Sequence, residues 1–217
     1  RFHVRYLSHG LGGSGAVRQA LLLSGGMDSI SVAWWLRPAL ALTIDYGQLA
    51  ATAEIQAARA VCLQLEIPHE VITVDCRALG SGDMAGQPAD ALAPASDWWP
   101  YRNQLLITLA GMRAVSRGAE ALLVGAVASD GTHQDGTPAF MAAMDQVMRV
   151  QEGGLTVRAP AIGLTTVELV QQSGIPRSLL AWAHSCHRSH VACGRCRGCN
   201  KYFEVWRELG NDVDSAA

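Results

Sequence analysis

The sequence predicts an α/β protein built on a doubly wound parallel sheet. Short apolar runs such as QALLL (19–23) and ALALTI (39–44) have the length and composition of buried strands. They alternate with amphipathic segments of helical length, such as residues 49–66. This alternation predicts a sheet with helices on both faces, and such sheets bind ligands beyond the carboxyl ends of their strands. The 217 residues, 49% of them apolar, suffice for one such domain with a small appendage.

The first half of the chain begins with a short predicted strand near Phe2–Leu7 and a glycine-rich turn or linker at 10–16. The elements predicted after it are a strand at 19–23, a helix at Asp28–Leu36, a strand at 39–44, a helix at 49–66 and a strand at 70–74. Residues 77–98 are rich in Gly, Ala, Pro and Asp, which indicates a long loop or lid.

The second half continues the alternation and ends in a cysteine-rich segment. Its predicted elements are a helix at 104–118 ended by Gly118, a strand at 121–126, a polar segment at 129–138, a helix at 139–150, an extended segment at 157–164, two short helices at Val167–Gln172 and Arg177–Trp182, and a last helix at Lys201–Leu209. Residues directly after strands are the most informative about function. They are Ser24–Ser29, Asp45–Gln48 and Gly125–Asp135.

Composition excludes several classes of protein. The net charge of −2 provides no overall basic field for nucleic acid. No apolar run reaches the ~18 residues of a membrane span, and the start of the chain lacks the apolar region of a signal peptide. The chain also lacks an initiator Met, so we expect it to begin inside a longer one. Four of the six cysteines cluster near the end, which favours a metal site in a reducing compartment, and we expect the cytoplasm.

Lys201 is the only lysine, beside sixteen arginines. We attribute the excess of arginine to genomic base composition. Any catalytic cation that precedes Lys201 must therefore be an arginine, a histidine or a metal ion.

The stretch SGGMDS (24–29) lies between a predicted strand and a predicted helix. A helix N-terminus presents unpaired N–H groups, and glycines allow the backbone to approach a ligand, so this stretch could hold phosphate. It differs from the GxxxxGK[ST] loop and from GxGxxG. The alternative is a tight turn in which Asp28 or Ser29 caps the helix.

The cysteines Cys186, Cys193, Cys196 and Cys199 have the spacing C-x6-C-x2-C-x2-C, which can surround one tetrahedral Zn²⁺. A [4Fe–4S] cluster, unliganded thiols, or replacement of one cysteine by His187 or His190 are the alternatives. Zinc ribbons also bind nucleic acid, but aromatic residues are sparse here. Cys62 and Cys76 are expected to be small buried residues.

These motifs carry a resemblance to a known family. S-G-G-x-D-S after the first sheet strand resembles the PP-loop of the N-type ATP pyrophosphatases. Together with DYGQ (45–48), PYRNQLLITLA (100–110), VGAVASDGTHQDGTPAFMAAM (124–144) and CGRCRGCN (193–200), it resembles the QueC family, 7-cyano-7-deazaguanine synthase, over roughly residues 20–205. The resemblance implies a Rossmann-like fold of the HUP type in three parts: an N-terminal extension (1–18), a PP-loop ATP pyrophosphatase domain (19–183) and a zinc-binding subdomain (184–210).

The family's activity implies three ligands: ATP, Mg²⁺ and a structural Zn²⁺. The expected reaction is ATP-dependent activation of 7-carboxy-7-deazaguanine, followed by attack of ammonia or another amine. The resemblance implies the following roles: ATP binding by Ser24, Gly25, Gly26, Met27, Asp28, Ser29, Asp45, Tyr46, Asn103 and Gly125; catalysis by Asp28, Arg102 and Asp130; substrate binding by Asp130 and Asp135; and zinc binding by the four cysteines. His133 is expected to be a loop residue. The family often forms homodimers, and a protein partner is left open.

Three features depart from the family pattern. Thr166 stands where the family has a lysine in T-K-A-E. Asp135–Thr137 reads DGT in place of D-C-R, in a loop that looks one residue shorter. The first 18 residues have no family counterpart. The two missing cations put the second activation, or the nature of the nucleophile, in doubt, since a charge-assisted contact is typically worth ~1.5–3 kcal/mol.

Three functions are therefore compared. The first is the nitrile-forming synthase. The second is a QueC-like paralogue that stops at the amide or joins the deazaguanine to another amine, such as one on a protein in an antiviral or DNA-modification operon. The third is a non-catalytic nucleotide-binding or nucleic-acid-binding zinc module, against which the intact SGGMDS motif argues.

Overall fold

A computed structural model of the protein describes residues 18–214, with side chains through residue 210. The predicted strand at Phe2–Leu7 and the glycine-rich stretch at 10–16 lie outside this range. Five strands form the sheet: β1 (Gln19–Leu22), β2 (Leu40–Asp45), β3 (His69–Thr73), β4 (Ala121–Val124) and β5 (Thr156–Arg158). Eight α-helices accompany them: α1 (Met27–Leu36), α2 (Ala51–Leu65), α3 (Gly82–Ala85), α4 (Arg102–Ser116), α5 (Pro138–Arg149), α6 (Thr166–Ser173), α7 (Arg177–Leu180) and α8 (Arg197–Asp214).

All strand pairs are parallel, and the strand order is β3-β2-β1-β4-β5. The chain winds outward from β1 to β3 and then returns to place β4 on the other side of β1. The order therefore reverses between β1 and β4, and a crevice opens beyond the strand ends at such a point. The predicted doubly wound parallel sheet is confirmed.

Two apolar cores lie on opposite faces of this sheet. On one face, α1, α2, α6, α7 and α8 pack on Leu21, Leu23 and Leu123. On the other face, α4 and α5 pack on Leu42 and Leu122. The alternation along β1 and β4 explains the pattern, because neighbouring side chains of a strand point to opposite faces.

Helix α8 belongs to the first of these cores. Val205 and Leu209 are buried there with α6 and α7. The predicted boundary at residue 184 therefore separates two segments that share one apolar core on the described part of the chain.

Several predicted element bounds differ from the structure. α8 begins at Arg197, four residues before the predicted start, because Cys199 of the cysteine-rich segment lies in its first turn. β4 ends at Val124, and only Val157 and Arg158 of the predicted extended segment, together with Thr156 before it, pair with the sheet. The loop at 77–98 contains the single turn of α3. No helix among the described residues combines the length and hydropathy needed to cross a bilayer.

Candidate active site

A cavity of about 550 Å³ lies beyond the carboxyl ends of β1 and β4, at the reversal of strand order. Four segments enclose it. They are the loop at 24–29, the region around 97–103, the loop at 125–136 and the cysteine-rich segment with the first turns of α8. The position is the one expected for a ligand site in a doubly wound sheet.

The phosphate loop, which we define as Ser24–Ser29, joins β1 to α1. The Ser24 and Ser29 hydroxyls lie 3.1 Å apart, and the Gly26 amide donates to Ser24 Oγ over 3.3 Å. Gly26 precedes the helix, and no described side chain caps it. The predicted alternative of an Asp28 or Ser29 cap is therefore wrong, because both residues lie within the first turn of α1. Met27 begins that helix and is buried.

Gly25 gives the phosphate loop its shape. Its φ of +81° lies in the left-handed region that favours glycine. A methyl group there would overlap the backbone carbonyl oxygen of Glu54. The Gly25 carbonyl also accepts a hydrogen bond of 2.9 Å from the His184 amide, which connects the loop to the cysteine-rich segment. Gly25 itself is absent from the cavity lining, whereas Gly26 contributes to it.

Asp28 projects from the first turn of α1 into the cavity. Its Oδ2 accepts a hydrogen bond of 2.9 Å from Lys201 Nζ, while its Oδ1 is buried without a hydrogen-bond partner among the described residues. Burial raises the pKa of Asp28, against the opposing attraction of Lys201. A buried, unpartnered carboxylate oxygen at the end of the phosphate loop suits a cation.

Asp130 approaches the same lysine from the loop after β4. Lys201 Nζ donates to Asp130 Oδ1 over 2.6 Å, so the ammonium bridges two carboxylates. Burial opposes the charge on Lys201, but the attraction of Asp28 and Asp130 outweighs it and raises the lysine pKa. Both aspartates are predicted site residues, whereas Lys201 is a site residue that the sequence motifs did not indicate.

Tyr46 and Asp45 follow β2 and differ in their access to the cavity. Tyr46 is buried, lines the cavity and packs edge-on against Trp99, with ring centroids 4.9 Å apart. The Asp45 carboxylate accepts a hydrogen bond of 3.1 Å from the Gly47 amide and is absent from the cavity lining. The geometry at Asp45 is that of a strand-end turn.

Arg102 and Asn103 begin α4 at the cavity edge. The Arg102 guanidinium faces the Tyr46 hydroxyl, and nearby acids keep the pKa of Arg102 above its usual value despite burial. Asp135 contacts Asn103 twice: its Oδ2 accepts from the Asn103 amide over 3.1 Å, and its carbonyl accepts from the Asn103 side chain over 2.9 Å. The Asp135 carboxylate is thus engaged at the N-terminus of α4, where a negative charge is favoured.

Gly125 follows β4 and permits a close approach of α1. A methyl group at this position would lie 2.9 Å from Ser29 Cα and 3.0 Å from Ser29 N. The family resemblance implies a role in ATP binding for this glycine. In the structure it also borders the cavity, but its nearest neighbour is the helix.

The Asp97 cluster, consisting of Asp97, His133, His187 and Arg197, forms the side of the cavity opposite α1. Asp97 Oδ1 lies 3.2 Å from His133 Nε2 and 3.3 Å from Arg197 Nε, and Asp97 Oδ2 lies 3.5 Å from His187 Nδ1. Burial raises the pKa of Asp97, but these partners outweigh it and hold the pKa at about 2. His133 lies in the loop after β4, as expected, and its side chain also lines the cavity.

The cysteine cluster consists of Cys186, Cys193, Cys196 and Cys199, and its neighbours in the chain, but not the cysteines themselves, line the cavity. All four sulfur atoms lie within 4.8 Å of one another, and two of their separations are 3.9 and 4.0 Å. The amides of His187 and Cys199 donate to Cys196 Sγ over 3.4 Å each. Four converging sulfurs, one of which accepts two N–H bonds, form a donor set suited to a thiolate-bound metal. Cys62, by contrast, is buried in the core of α2, and Cys76 is half-buried.

Comparison with known proteins gives a consistent result. Residues 18–210 match the sequence profile of a family described as "Queuosine biosynthesis protein QueC". The chain belongs to the QueC family. It is 33% identical to a 7-cyano-7-deazaguanine synthase of Desulforudis audaxviator, over 88% of this chain and 96% of that protein. It is 29% identical to the Methanosarcina barkeri protein of the same name, over 87% and 93%. Membership of this family identifies the QueC-like chain as an ATP-dependent enzyme.

A solved structure also shares the fold. The U34-tRNA thiolase NcsA from Methanococcus maripaludis, described with its [4Fe-4S] cluster, aligns over 92% of this chain and 66% of that one with a TM-score of 0.53 and 14% identity. At this identity the likeness concerns the fold alone. It agrees with the parallel α/β architecture described above for this member of the QueC family.

Proposed function

We propose that this QueC-like protein adenylates the carboxylate of 7-carboxy-7-deazaguanine and then transfers the acyl group to an amine. A carboxylate oxygen attacks the α-phosphorus of ATP, the bond from that phosphorus to the β-phosphate oxygen breaks, and pyrophosphate leaves. The amine then displaces AMP to form an amide. With ammonia, a second activation of the amide oxygen and loss of AMP give the nitrile. The carrying observation is the placement of the phosphate loop, Asp28 and Asp130 around one cavity.

The phosphate loop supplies the anion-binding part of this site. The uncapped N-terminus of α1 directs backbone N–H groups toward the cavity side, and the hydroxyls of Ser24 and Ser29 add donors at its edge. Gly26, which lines the cavity, carries no side chain that could cover these donors, and Gly25 supplies the left-handed turn that places them. These groups would hold the β- and γ-phosphates and stabilise the charge that develops on pyrophosphate.

Asp28 is suited to hold Mg²⁺ beside the phosphates. Its unpartnered Oδ1 provides the hard oxygen ligand that this ion prefers. When bound, Mg²⁺ would neutralise charge between the carboxylate and the triphosphate. Tyr46 and Asn103 lie at the part of the cavity proposed for adenosine, and Asp45 would act there by shaping the turn that places Tyr46.

Asp130 is proposed to recognise the guanine-like edge of the substrate. Its carboxylate is 38% exposed at the cavity and can accept two N–H bonds from an amino-pyrimidinone. Arg102 would neutralise phosphate or carboxylate at the start of α4. Asp135 would contribute through Asn103, because its carboxylate is already engaged by that amide.

Zn²⁺ is the metal we propose for the cysteine cluster. Four thiolates around one zinc ion, at bonds of about 2.3 Å, lie about 3.8 Å apart. The observed separations of 3.9 and 4.0 Å agree with that value, whereas the thiolates of a [4Fe–4S] cluster bind four different irons and lie farther apart. The four ligands leave no open position, so the ion would be structural. We also propose a homodimer, as the family resemblance implies.

A second candidate is a related ligase that stops at the amide or uses an amine other than ammonia. It is favoured by the loop at 129–138, where the Asp97 cluster brings His133 to the cavity and Asp135 holds α4. Thr137 occupies the position of the arginine in the family's D-C-R motif. Neither the His133 contact nor the Asp135 contact supplies a cation at that position.

Product analysis separates the two candidates. The protein is incubated with ATP, Mg²⁺, 7-carboxy-7-deazaguanine and ammonium, and products are identified by mass spectrometry alongside AMP and pyrophosphate. The synthase predicts the nitrile, and the second candidate predicts the amide or a protein adduct. Reactions without the deazaguanine acid serve as the control. AMP release no greater than in this control would overturn both candidates.

Replacing Asp28 tests the cation role directly. We expect Asp28→Asn to lower AMP formation by at least a thousandfold, because the amide is a much weaker Mg²⁺ ligand. Zinc content and the thermal midpoint should stay close to those of the unaltered protein. Turnover within tenfold of the unaltered protein would rule out this role for Asp28.

A further inference from the structure

The only lysine of the chain lies at the centre of the candidate active site. Lys201 Nζ is 2.9 Å from Asp28 Oδ2 and 2.6 Å from Asp130 Oδ1, and its side chain lines the cavity. Its two partners come from different ends of the proposed site: Asp28 from the phosphate loop and Asp130 from the loop after β4. The ammonium therefore stands between the position proposed for the phosphates and the position proposed for the substrate.

The position of Lys201 is fixed by the element that carries it. Helix α8 begins at Arg197, and Lys201 lies in its second turn, two residues after Cys199 of the cysteine cluster. Val205 and Leu209, one and two turns later, anchor the same helix in the core. The helix is thus fixed on both sides of Lys201, by the cysteine cluster before it and by the apolar core after it. This is the arrangement expected for a preorganised charge.

Helix α6 also approaches Asp28, but the residue that it places there is the uncharged Thr166. Thr166 is 2% exposed at the start of α6, its hydroxyl lies 3.4 Å from Ser129 Oγ, and its proximity to Asp28 acts to lower the pKa of that carboxyl. A neutral hydroxyl thus occupies the side of Asp28 that faces α6. Of the described residues that interact with Asp28, namely Lys201, Asp130 and Thr166, Lys201 is the one that carries a positive charge.

We propose that Lys201 is a catalytic residue of the adenylation step, in which its ammonium donates hydrogen bonds to the nonbridging oxygens of the α-phosphate. This inference rests on the proposed function. As the substrate oxygen bonds to the α-phosphorus and pyrophosphate leaves with the electron pair of the broken bond, negative charge is redistributed over those oxygens. Lys201 remains protonated throughout, so no proton is transferred. Asp130 would keep the ammonium oriented while Asp28 turns to its cation.

The test uses Lys201→Met, which removes the charge but keeps much of the apolar stem. We expect the kcat for AMP formation to fall by about 10²–10³-fold, as for loss of one transition-state donor, with a much smaller change in the KM for ATP. Arg207→Met, at an exposed position on the same helix, is the matched control and should retain full activity. Zinc content and thermal midpoint are measured for both variants. A kcat within threefold of the unaltered protein for a folded, zinc-loaded Lys201→Met variant overturns the proposal.

Relocating the charge provides a second test. Thr166→Lys is introduced into the Lys201→Met variant, since residue 166 already lies against Asp28. We expect kcat to recover by at least tenfold, while Thr166→Met in the same background should give no recovery. Equal recovery by lysine and methionine at this position would show that the effect is one of packing and would overturn the proposal.

The single lysine also permits a spectroscopic test that needs no turnover. Reductive methylation with ¹³C-formaldehyde gives one dimethyl-lysine signal, distinguished from the α-amino signal by its absence in Lys201→Met. A nonhydrolysable ATP analogue with Mg²⁺ should shift this signal, and inorganic pyrophosphate, which lacks an α-phosphate, should shift it less. An unchanged signal under saturating analogue overturns the lysine proposal. A shift in a protein that releases no AMP with the deazaguanine acid would instead refute the proposed substrate alone.

Discussion

The two sides of the cavity are built in different ways. The phosphate loop is one contiguous segment whose shape comes from backbone conformation, above all from Gly25 at φ +81°. The Asp97 cluster opposite it consists of side chains from three separate segments, joined by contacts of 3.2 to 3.5 Å. A site formed by backbone groups tolerates changes in the surrounding side chains. A site formed by side chains depends on the position of every helix or loop that carries one of them. The two sides should therefore respond differently to substitution.

The largest effect is expected at the cysteine cluster, which supports the side-chain-built part. Cys196→Ser should abolish zinc binding and lower the free energy of unfolding by about 3–5 kcal/mol, since a bound structural metal contributes directly to folding. Zinc content is measured by elemental analysis and stability by urea denaturation. The matched control is Cys62→Ser, which removes a buried thiol outside the cluster. Equal zinc content in the two variants would contradict a metal role for Cys196.

The next largest effect is expected from the backbone of the phosphate loop. Gly25→Ala forces a methyl group against the Glu54 carbonyl at a left-handed φ, and it should cost about 2–4 kcal/mol of stability together with ATP binding. Gly163→Ala, where a methyl group meets open space, is the control and should be nearly neutral. A Gly25→Ala variant as stable as the control, with unchanged ATP affinity by calorimetry, would show that the loop can be built differently.

A smaller effect is expected at the Asp97 cluster. Asp97→Asn should lower stability at pH 7 by about 1–3 kcal/mol, because the carboxylate pKa of about 2 lies below its unfolded value near 3.8. That stabilisation is present above the unfolded pKa and is lost as the pH falls through the folded one. The difference between variant and unaltered protein should accordingly disappear near pH 2. A constant difference between pH 7 and pH 3 in urea denaturation would mean that the charge of Asp97 is not its cause.

The same contrast explains how much of the site the sequence could predict. The strands, the phosphate loop and the cysteine cluster follow from short local patterns, because their residues are close in the chain. Lys201 and Asp97 could not be found in this way: 173 residues separate Lys201 from Asp28, and Asp97 lies in a segment without periodicity. One sequence feature could have indicated a role for Lys201: it is the only lysine of the chain and lies two residues after the predicted metal ligand Cys199. Gly125 packs against α1, and Asp135 binds the N-terminus of α4. The sequence alone cannot distinguish such structural roles from contacts with a ligand, because both require the same residue types.

The last prediction is a gain in stability, in contrast to the three losses above, and it concerns Glu54, which lies beneath the phosphate loop and lines the cavity. Burial raises its pKa to about 7, although a hydrogen bond of 2.7 Å from Gln48 acts in the opposite direction. A carboxyl with a raised folded pKa costs stability as the pH rises from the unfolded pKa near 4.5 through 7, and the cost is complete above 7. A protonated Glu54 also removes a negative charge from the part of the cavity proposed for phosphate.

Glu54→Gln keeps the shape of this side chain and removes its ionisation. The variant should match the unaltered protein in urea denaturation at pH 4.5 and exceed it by about 3 kcal/mol at pH 8, since the pKa rises from 4.5 to about 7 and one pKa unit corresponds to about 1.4 kcal/mol. ATP binding at pH 8 should be tightened as well, because the triphosphate no longer faces an ionised carboxylate. Glu152→Gln, at an exposed loop position, serves as the control and should show neither pH-dependent gain. If Glu54→Gln is less stable than the unaltered protein at pH 8, the ionised carboxylate is required by the phosphate loop, and the backbone-built side of the cavity depends on a side chain after all.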